Sequence, residues 1–459
     1  MNSEKYDVLV VGAGAAGLAA GRRLAVAGKR VAIVEARDRI GGRIFTAPPS
    51  PDAGSAPSPI ELGAEFVHGL PRSTWDLIRE ARLATFELDG AQWCFDEELH
   101  PCGEEHQEAF EVLAHMPQWL AAQPHGSDAT FAEYLARARI EKSLADRAAA
   151  YVEGFNAADR NIIGVAALVR QQAAEDEIQA RRIFRIRAGY SALPGFLADQ
   201  LRQAGGTIIF DRPVRTIRWS RGEVCVSGLD AGNRAFELHA RQALITLPLG
   251  VLQTGAVRFD PKPGDIEDHA ASMAMGPVVR QTLQFERPFW SEAGGGIANL
   301  SFLFAGREKL PTWWTIHPDT TPMITAWASG PKAIGLSQKI ALPGGRRALR
   351  DEALSTLARF FGFSSAAVTK MLVGWHSHDW QSDEFSRGAY SYAPAGALDA
   401  SLKMTQPVEQ TLHFAGEHTD IEGHWGTVHA AFNSGLRAAD QILNTAGIFR
   451  LPAAHGPDL

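Results

Sequence analysis

The sequence of 459 residues contains only three cysteines, Cys94, Cys102 and Cys225. Their spacing fits neither a framework of disulfides nor a zinc site, so we expect three reduced thiols with structural roles. The sequence also lacks an apolar run near the ~20 residues that span a bilayer, and no secretory leader is visible at its N-terminus. These absences predict a cytoplasmic protein that does not associate with membranes.

Long blocks of one charge sign are also missing, although the formal net charge is −7. Nucleic-acid binding needs a concentrated basic surface, so we expect no nucleic-acid partner. The short arginine-rich segment at residues 181–187 is predicted to be a strand whose arginines face water. With 45% hydrophobic and 21% charged residues, the chain is of ordinary globular composition and is long enough for two domains with full cores.

The N-terminal residues carry the pattern of a β-α-β unit. Residues 6–11 form a short apolar run that is typical of a buried parallel strand. A glycine-rich turn at residues 12–17 follows, and the small residues to about position 27 predict a helix that Gly28 caps. Residues 30–34 are predicted to be the next strand, which completes the unit.

Composition divides the rest of the chain into segments. Residues 47–59 are rich in proline, serine and alanine, which predicts an exposed loop. The other segments are predicted, in order, to be largely helical (71–187), β-rich (206–247 and 272–327), helical (346–361), and a strand, glycine-rich turn and helix (412–443).

Gly12, Gly14 and Gly17 form a G-x-G-x-x-G pattern between the first strand and the first helix. Gly12 permits a tight turn, Gly14 lets the backbone approach a pyrophosphate, and Gly17 allows close packing of helix and strand. The N-terminus of the helix offers unpaired N–H groups and a positive dipole end to phosphates. Glu35 ends the second strand, roughly 20 residues on, where a carboxylate accepts hydrogen bonds from ribose hydroxyls. Together these features predict a dinucleotide-binding site.

The residues after Glu35 indicate which dinucleotide is bound. Gly41 and Gly42 let the backbone pass beside a cofactor, and Arg43 can form charge-assisted hydrogen bonds to phosphate oxygens. With the glycine turn and the acid, residues 35–43 (EARDRIGGR) resemble the N-terminal FAD fingerprint of the flavin-containing amine oxidase family.

The resemblance implies an α/β fold in which a Rossmann-type FAD-binding domain is interleaved with an α+β substrate domain. The FAD-binding domain would comprise residues 1–80, 188–270 and 385–450. The substrate domain, a mixed sheet flanked by helices, would comprise residues 81–187 and 271–384. Residues 451–459 would form a tail.

Further segments extend the resemblance along nearly the whole chain. Residues 61–69 (ELGAEFVHG) are similar to the segment that runs beneath the flavin ring, in its polyamine-oxidase form. Val214 follows a proline, as does the valine whose backbone contacts the adenine. Residues 414–417 (FAGE) are similar to the segment near the ribityl chain and pyrophosphate. Residues 427–431 (TVHAA) match polyamine oxidases and histone-lysine demethylases, where a helix N-terminus points at the N1–C2 edge of the flavin.

The resemblance implies non-covalent FAD, because Ala389 stands where monoamine oxidases have a cysteine bonded to the flavin. The cofactor contacts that it implies come from every part of the chain. The implied FAD-binding residues are Gly12, Gly14, Ala15, Ala16, Gly17, Glu35, Ala36, Arg37, Gly42, Arg43, Gly63, Ala64, Glu65, Phe66, Val214, Gly416, Glu417, Thr427, Val428 and Ala431.

Four residues are the implied catalytic residues. Tyr390 and Trp380 are similar to the aromatic cage that faces the flavin, whose π-faces tolerate a cation. Arg280 stands where the family has a lysine that holds a water near flavin N5 and aids reoxidation by oxygen, but an arginine is longer, planar and effectively never deprotonated. His68 could accept a proton from the substrate ammonium. Nearby, Glu65 could attract a second ammonium or bond a neighbouring backbone group.

The resemblance implies an FAD-dependent amine oxidoreductase. A hydride would pass from the α-carbon of a primary or secondary amine, such as a polyamine, to flavin N5. Water would hydrolyse the imine to an aldehyde, and O2 would reoxidise the flavin and yield H2O2. Because Arg280 replaces the lysine, a dehydrogenase that uses another electron acceptor also stays open. Three alternatives stay open: a flavin enzyme acting on L-amino acids, polyenes or tetrapyrroles; a scaffold that holds FAD without catalysis; and an NAD enzyme. The histidines, for example His376 and His378, lack the further ligands of a zinc site, so we expect no metal.

Overall fold

The computed structural model describes residues 5–47, 58–124, 127–294 and 296–444. These residues form a mixed α/β fold, as predicted, with two large sheets and several small ones. Most of the loop predicted at residues 47–59, and the tail at 451–459, lie outside the described residues.

The strands are numbered in chain order and include several short ones. They are β1 (Lys5–Val11), β2 (Val31–Val34), β3 (Thr46–Ala47), β4 (Ile60–Glu61), β5 (Val67–His68), β6 (Thr85–Glu87), β7 (Ala91–Phe95), β8 (Leu99–Pro101), β9 (Ile183–Ile186), β10 (Thr207–Ile209), β11 (Val214–Ser220), β12 (Glu223–Leu229), β13 (Ala235–Ile245), β14 (Arg258–Asp260), β15 (Ala274–Gly276), β16 (Val278–Phe285), β17 (Leu300–Phe304), β18 (Thr312–Trp314), β19 (Met323–Ser329), β20 (Leu372–His376), β21 (Tyr390–Tyr392) and β22 (Leu412–Phe414).

The helices are numbered in the same way. They are α1 (Ala15–Val26), α2 (Arg72–Glu80), α3 (Glu104–Ala114), α4 (Met116–Ala121), α5 (Phe131–Arg137), α6 (Lys142–Asn156), α7 (Val165–Glu177), α8 (Ala192–Gln203), α9 (Leu249–Gln253), α10 (Ile266–Ser272), α11 (Gly330–Ile340), α12 (Gly345–Phe361), α13 (Ser365–Met371), α14 (Ala400–Met404) and α15 (Val428–Leu443). Within the described ranges, none of these helices combines the length and the apolar character needed to cross a bilayer.

The N-terminal β-α-β unit forms the centre of an eight-stranded sheet. The strand order is β10-β2-β1-β13-β12-β11-β14, and β22 also pairs with β13. In β1, Val8, Leu9 and Val10 are fully buried, because helices and strands cover both faces. Helix α1 packs against α8 and α15. The N-terminal unit is therefore in contact with the C-terminal helix. The predicted strands at residues 206–247 also belong to this sheet.

A seven-stranded sheet with the order β20-β16-β19-β18-β17-β7-β8 forms the other large layer. The strands predicted at residues 272–327 lie here, except for β15, which pairs with β21 in a small sheet. Helix α12 matches the helix predicted at 346–361. The prediction of a largely helical segment at residues 71–187 was wrong for β6, β7 and β8. Strand β7 is held by parallel pairing with β17, which is distant in the sequence, so no local pattern reports it.

The prediction that all three cysteines are reduced was also wrong. Cys94 on β7 forms a disulfide with Cys102, and the two Cα atoms are 5.0 Å apart. Cys102 directly follows β8, which is the antiparallel neighbour of β7, so a tight hairpin brings together two cysteines that are only eight positions apart. Cys225 remains a free, buried thiol.

The arginines at residues 181–187 do not all face water. Arg185 lies on β9, the central strand of the small sheet β5-β9-β6, and is only 4% exposed. Arg181, Arg182 and Arg187 are exposed, as predicted. The prediction failed for Arg185 because Glu65, which is distant in the sequence, pairs with its buried guanidinium.

Candidate active site

A cavity of about 1900 Å³ is lined by residues from both large sheets and from the helices near them. Every predicted cofactor-binding and catalytic residue lies in its wall except Gly17. The structure therefore brings together side chains from widely separated parts of the sequence. Their individual roles stay predictions, which the geometry of each group helps to judge.

The N-terminus of α1 forms one end of the cavity. Gly14 precedes the helix and provides no side-chain cap, and the first turn contains no acidic residue. A Cβ on Gly14 would meet nothing within 4 Å, whereas a Cβ on Gly17 would lie 2.0 Å from the carbonyl oxygen of Gly12. Gly17 thus serves the packing of the turn, and Gly14 leaves open space before a helix N-terminus. This arrangement fits a pyrophosphate.

Glu35 is fixed at the end of β2 by backbone N–H groups. Its Oε2 accepts a hydrogen bond from the Ala13 N–H at 2.7 Å, and its Oε1 accepts one from the Arg37 N–H at 3.0 Å. The side chain of Arg37 turns to Asp383, with an N–O distance of 2.5 Å. Glu35 is therefore an oriented carboxylate in the cavity wall, as the ribose role requires, while the charge of Arg37 is already balanced.

Arg43 and Glu417 tie three segments together around the cavity. Arg43 Nη1 donates to Glu417 Oε1 and to the carbonyl oxygen of Ala389, both at 2.8 Å. Glu417 Oε2 accepts from Ser391 Oγ at 2.6 Å and from the Gly426 N–H at 2.9 Å. Burial alone would raise the pKa of Glu417, but Arg43 and the hydrogen bonds hold that pKa below its usual value. The ionised pair stabilises the walls on which a flavin would rest.

Helix α15 begins at the cavity. Its N-cap is Thr427, whose hydroxyl accepts a hydrogen bond from the Ala430 N–H at 3.2 Å. Thr427, Val428 and Ala431 line the cavity. The positive end of the helix dipole therefore faces the interior of the site, where it would stabilise negative charge.

Glu65 lies between two buried arginines, Arg185 and Arg280, whose contact with it the sequence analysis did not predict. Its Oε1 is 3.2 Å from Arg185 Nε, and its Oε2 accepts hydrogen bonds from Arg280 and, at 3.2 Å, from Trp314 Nε1. Arg280 also donates to the carbonyl oxygen of Gly63 at 3.0 Å. Glu65 is 6% exposed and each arginine 4%. Two guanidinium groups already share the carboxylate of Glu65, so Glu65 does not offer a free charge to a second ammonium.

Trp380 and Tyr390 both line the cavity but are held by different partners. Trp380 donates from Nε1 to the carbonyl oxygen of Leu62 at 2.8 Å, and its ring centroid is 4.1 Å from that of His378. Tyr390 donates from its hydroxyl to the carbonyl oxygen of Phe155 at 2.8 Å. Whether the two rings act together as a cage stays a prediction.

His68 lies in a part of the cavity wall that is made of aromatic side chains. Its ring centroid is 5.9 Å from that of Phe66 and 5.8 Å from that of Phe155. Phe155 in turn stacks on Tyr151 at 5.7 Å. Burial lowers the pKa of His68 to about 4, so the imidazole is neutral at pH 7. A neutral imidazole with so low a pKa is a poor acceptor for a proton from an ammonium group.

Among the described residues, one group of side chains with metal-ligating atoms was not suggested by the sequence. Ligand atoms of Cys225, Glu237 and His239 lie within 4.8 Å of one another. Arg218 donates to Glu237 at 2.5 Å and to the Cys225 sulfur at 3.4 Å. The guanidinium already balances the charge of this group, which lies outside the cavity wall.

Comparison with known proteins places this geometry in a family. The profile of the family described as "Flavin containing amine oxidoreductase" matches residues 15–161 and 120–443. Polyamine oxidase 3 of Oryza sativa subsp. japonica is 27% identical, over 96% of this chain and 89% of that protein. Putrescine oxidase of Kocuria rosea is 24% identical, over 96% of each chain.

Solved structures show the same fold. The structure of a wild-type putrescine oxidase bound to putrescine aligns with a TM-score of 0.79 at 23% identity, over 96% of this chain and 99% of that one. The family match covers well over half of the chain and confirms the predicted flavin cofactor, FAD, and the predicted amine oxidoreductase activity. The chain belongs to the family of flavin-containing amine oxidoreductases.

Proposed function

We propose that the chain oxidises a small primary or secondary amine in the cavity described above and holds FAD there without a covalent bond. One observation carries the proposal: a single cavity joins the glycine turn and Glu35 to a wall that contains Tyr390, Trp380 and Arg280. Ala389 lines the same cavity, and its methyl side chain has no nucleophilic atom, such as a cysteine sulfur, that could form a covalent bond to the flavin.

FAD, when bound, would accept the hydride from the α-carbon of the amine. The chain supplies the surroundings of that transfer. The N-terminus of α1 and Glu35 would hold the diphosphate and ribose, and the N-terminus of α15 would favour negative charge on the reduced ring. The Arg43–Glu417 ion pair fixes the walls between these two helix ends.

The surroundings of the substrate nitrogen favour the neutral amine. His68 is neutral, and the guanidinium of Arg280 lies in the cavity wall, where it shares the carboxylate of Glu65 with Arg185. A buried cation and a desolvated wall both lower the pKa of an amine bound beside them. The amine would therefore enter or react in its neutral form, and no side chain has to act as a strong general base.

Dioxygen is the proposed electron acceptor, and hydrogen peroxide and an aldehyde are the proposed products. The positive charge of Arg280 in the cavity wall supports this choice, because a fixed cation stabilises the negative charge that develops on oxygen during its reduction. The division into an FAD-binding and a substrate-binding domain at the residues given above remains our proposal.

A cytoplasmic location also remains a proposal. The Cys94–Cys102 disulfide argues against it, because disulfides persist mainly in oxidising compartments.

An amino-acid substrate is disfavoured by the contacts of Arg280. A substrate carboxylate would need a guanidinium edge that is open to the cavity. Arg280 already donates to Glu65 and to the carbonyl oxygen of Gly63. The Nε of Arg280 has no hydrogen-bond partner, but it is buried, so a substrate carboxylate would have to compete with the carboxylate of Glu65 for the Nη groups.

A panel of amines and L-amino acids tests the proposal on the purified protein. Without oxygen, amines should bleach the flavin absorbance, and amino acids should not. With oxygen, the same amines should yield hydrogen peroxide. Bleaching by amino acids alone would show the alternative substrate class, and a flavin that no compound bleaches would show a scaffold that holds FAD without catalysis.

A further inference from the structure

The hairpin of β7 and β8 forms part of the cavity wall, and the Cys94–Cys102 disulfide closes this hairpin. Side chains along a strand alternate between its two faces. Trp93 is buried in a hydrophobic core, whereas Cys94, the next residue, lines the cavity. Both cysteines are half-buried, so the bridge is open to a small reagent.

The disulfide also fixes the start of helix α3. The helix begins at Glu104, two positions after Cys102, and its N-cap, Gly103, provides no side-chain cap. The Cys102 N–H donates a hydrogen bond to the carbonyl oxygen of Gln92 on β7 at 3.1 Å, and the disulfide adds a covalent link to the same strand. Because a cross-link restricts the conformations of the chain that it closes, the bridge holds the first turn of α3 near β7.

Helix α3 contributes the next part of the cavity wall and packs against α6. Phe110 on α3 lines the cavity, and its ring centroid is 4.7 Å from that of Tyr151 on α6. Tyr151 stacks on Phe155 at 5.7 Å, and the carbonyl oxygen of Phe155 accepts a hydrogen bond from the Tyr390 hydroxyl. A row of aromatic side chains therefore runs from the helix that the disulfide anchors to the proposed amine site.

The proposed FAD-binding residues are held by other contacts. Backbone N–H groups orient Glu35 at the end of β2, and Arg43 donates to Glu417 and to the carbonyl oxygen of Ala389. None of these contacts involves the hairpin or α3. Loosening of the hairpin and of α3 would therefore change the wall beside the amine and spare the contacts of the cofactor.

We propose that the Cys94–Cys102 disulfide is a redox switch for amine binding. While the bridge is intact, α3 keeps the row of aromatic side chains in place. When a dithiol reduces the bridge, the hairpin and the start of α3 loosen, and the enzyme binds its amine more weakly but keeps FAD. Strand β8 is a largely exposed edge strand, and exposed segments open locally most readily. This inference rests on the proposed amine oxidation and adds a regulatory device to it.

The switch is a two-electron exchange. In the forward direction the S–S bond breaks, each cysteine sulfur takes up one electron and one proton, and the dithiol becomes a disulfide. In the reverse direction hydrogen peroxide, the proposed product, takes two electrons and two protons from the two thiols. The S–S bond forms again, and two molecules of water leave. Turnover would therefore restore the form of the enzyme that binds the amine more tightly.

The test compares the oxidised and the dithiol-treated forms of the FAD-loaded enzyme. Dithiothreitol reduces the folded protein without oxygen, gel filtration removes the reagent, and thiol titration after unfolding should then find three thiols in place of one. Each form is mixed anaerobically with increasing concentrations of 1-aminobutane while the flavin bleaches. Reduction of the bridge should raise the amine concentration that gives the half-maximal bleaching rate several-fold. The limiting rate and the ratio of flavin to protein absorbance should stay unchanged.

The three cysteines of the chain provide matched variants. Cys102→Ser should show the weaker amine binding with or without dithiothreitol. Cys225→Ser keeps the bridge and alters a thiol outside the cavity wall, so it should behave as the wild type does in both forms. Hydrogen peroxide, removed before the amine is added, should restore the tighter binding in the reduced wild type but not in Cys102→Ser.

Three results would overturn the switch: a bridge that resists dithiothreitol in the folded enzyme, an amine dependence that reduction leaves unchanged, or weak binding that reoxidation does not reverse. Loss of FAD on reduction would overturn it as well, because the change would then not be confined to the wall beside the amine. If Cys102→Ser does not fold, the two forms of the wild type decide. If no amine bleaches either form, the proposed function itself fails.

Discussion

The two proposed ends of the cavity are built in different ways: the cofactor end lies at the glycine turn and Glu35, and the substrate end lies at Glu65, Trp380 and Tyr390. At the cofactor end, the glycine turn, the N-terminus of α1 and the backbone N–H groups that orient Glu35 lie within a short stretch of chain. At the substrate end, the contacts join side chains that are distant in sequence, for example Glu65 with Arg185 and Arg280. A site made of backbone is encoded locally, whereas a site made of side chains is encoded by the whole fold.

The largest expected effect is a loss of stability when the contacts of Glu65 with Arg185 and Arg280 are removed. Glu65→Gln would leave Arg185 and Arg280 buried next to each other without a carboxylate. Removal of one partner from a buried ion pair costs about 3–5 kcal/mol, and denaturant unfolding of the FAD-loaded protein would measure it. Arg182→Met is the control, because Arg182 and its partner Glu87 are exposed and its loss should change stability little. Equal effects of the two variants would contradict a special role for the buried group.

A single added methyl group should disrupt the glycine turn at the proposed cofactor end of the cavity. Gly17→Ala places a Cβ 2.0 Å from the carbonyl oxygen of Gly12, so the turn must shift away from its phosphate-binding form. We expect a loss of stability of up to about 3 kcal/mol and a clear loss of bound FAD, measured as the ratio of flavin to protein absorbance. Gly195→Ala, in α8, is the control because its Cβ would meet nothing within 4 Å. If both variants retain full FAD, the turn does not hold the cofactor as described.

The Cys94–Cys102 disulfide links β7 to the residue after β8, at the edge of the seven-stranded sheet. Cys94→Ser should lower the free energy of unfolding by about 2 kcal/mol, since the bridge closes a short loop. Thiol titration of the unfolded, unreduced wild type should detect Cys225 alone. Three titratable thiols would show that the bridge does not form.

The smallest expected effect concerns Arg280. A lysine in its place would keep the charge but would offer one nitrogen with a shorter reach, in place of the two guanidinium nitrogens that bond Glu65 and Gly63. Its compact, strongly hydrated ammonium would retain a water molecule in the cavity wall. Arg280→Lys should therefore speed flavin reoxidation by dioxygen several-fold, measured after anaerobic reduction by an amine. An unchanged reoxidation rate would show that this side chain does not influence the reaction with oxygen.

The sequence predicted the local fold around β1, α1 and β2 well and the side-chain contacts around Glu65 poorly, for the same physical reason. Turn glycines, a helix N-terminus and an acid at the end of a strand are local signals, so the fold around β1, α1 and β2 could be predicted. Strands β6 and β7 and the burial of Arg185 depend on contacts with distant segments. The disulfide depends on the hairpin that β7 forms with β8.

The central claim is that a flavin and a small amine share one cavity, and anaerobic reduction of the purified enzyme tests it most directly. Mixing the FAD-loaded protein with an alkylamine should bleach the flavin in a single turnover, and acid precipitation should then release free FAD. A flavin absorbance that stays constant at saturating amine, or a flavin that stays bound to the denatured chain, would contradict the account.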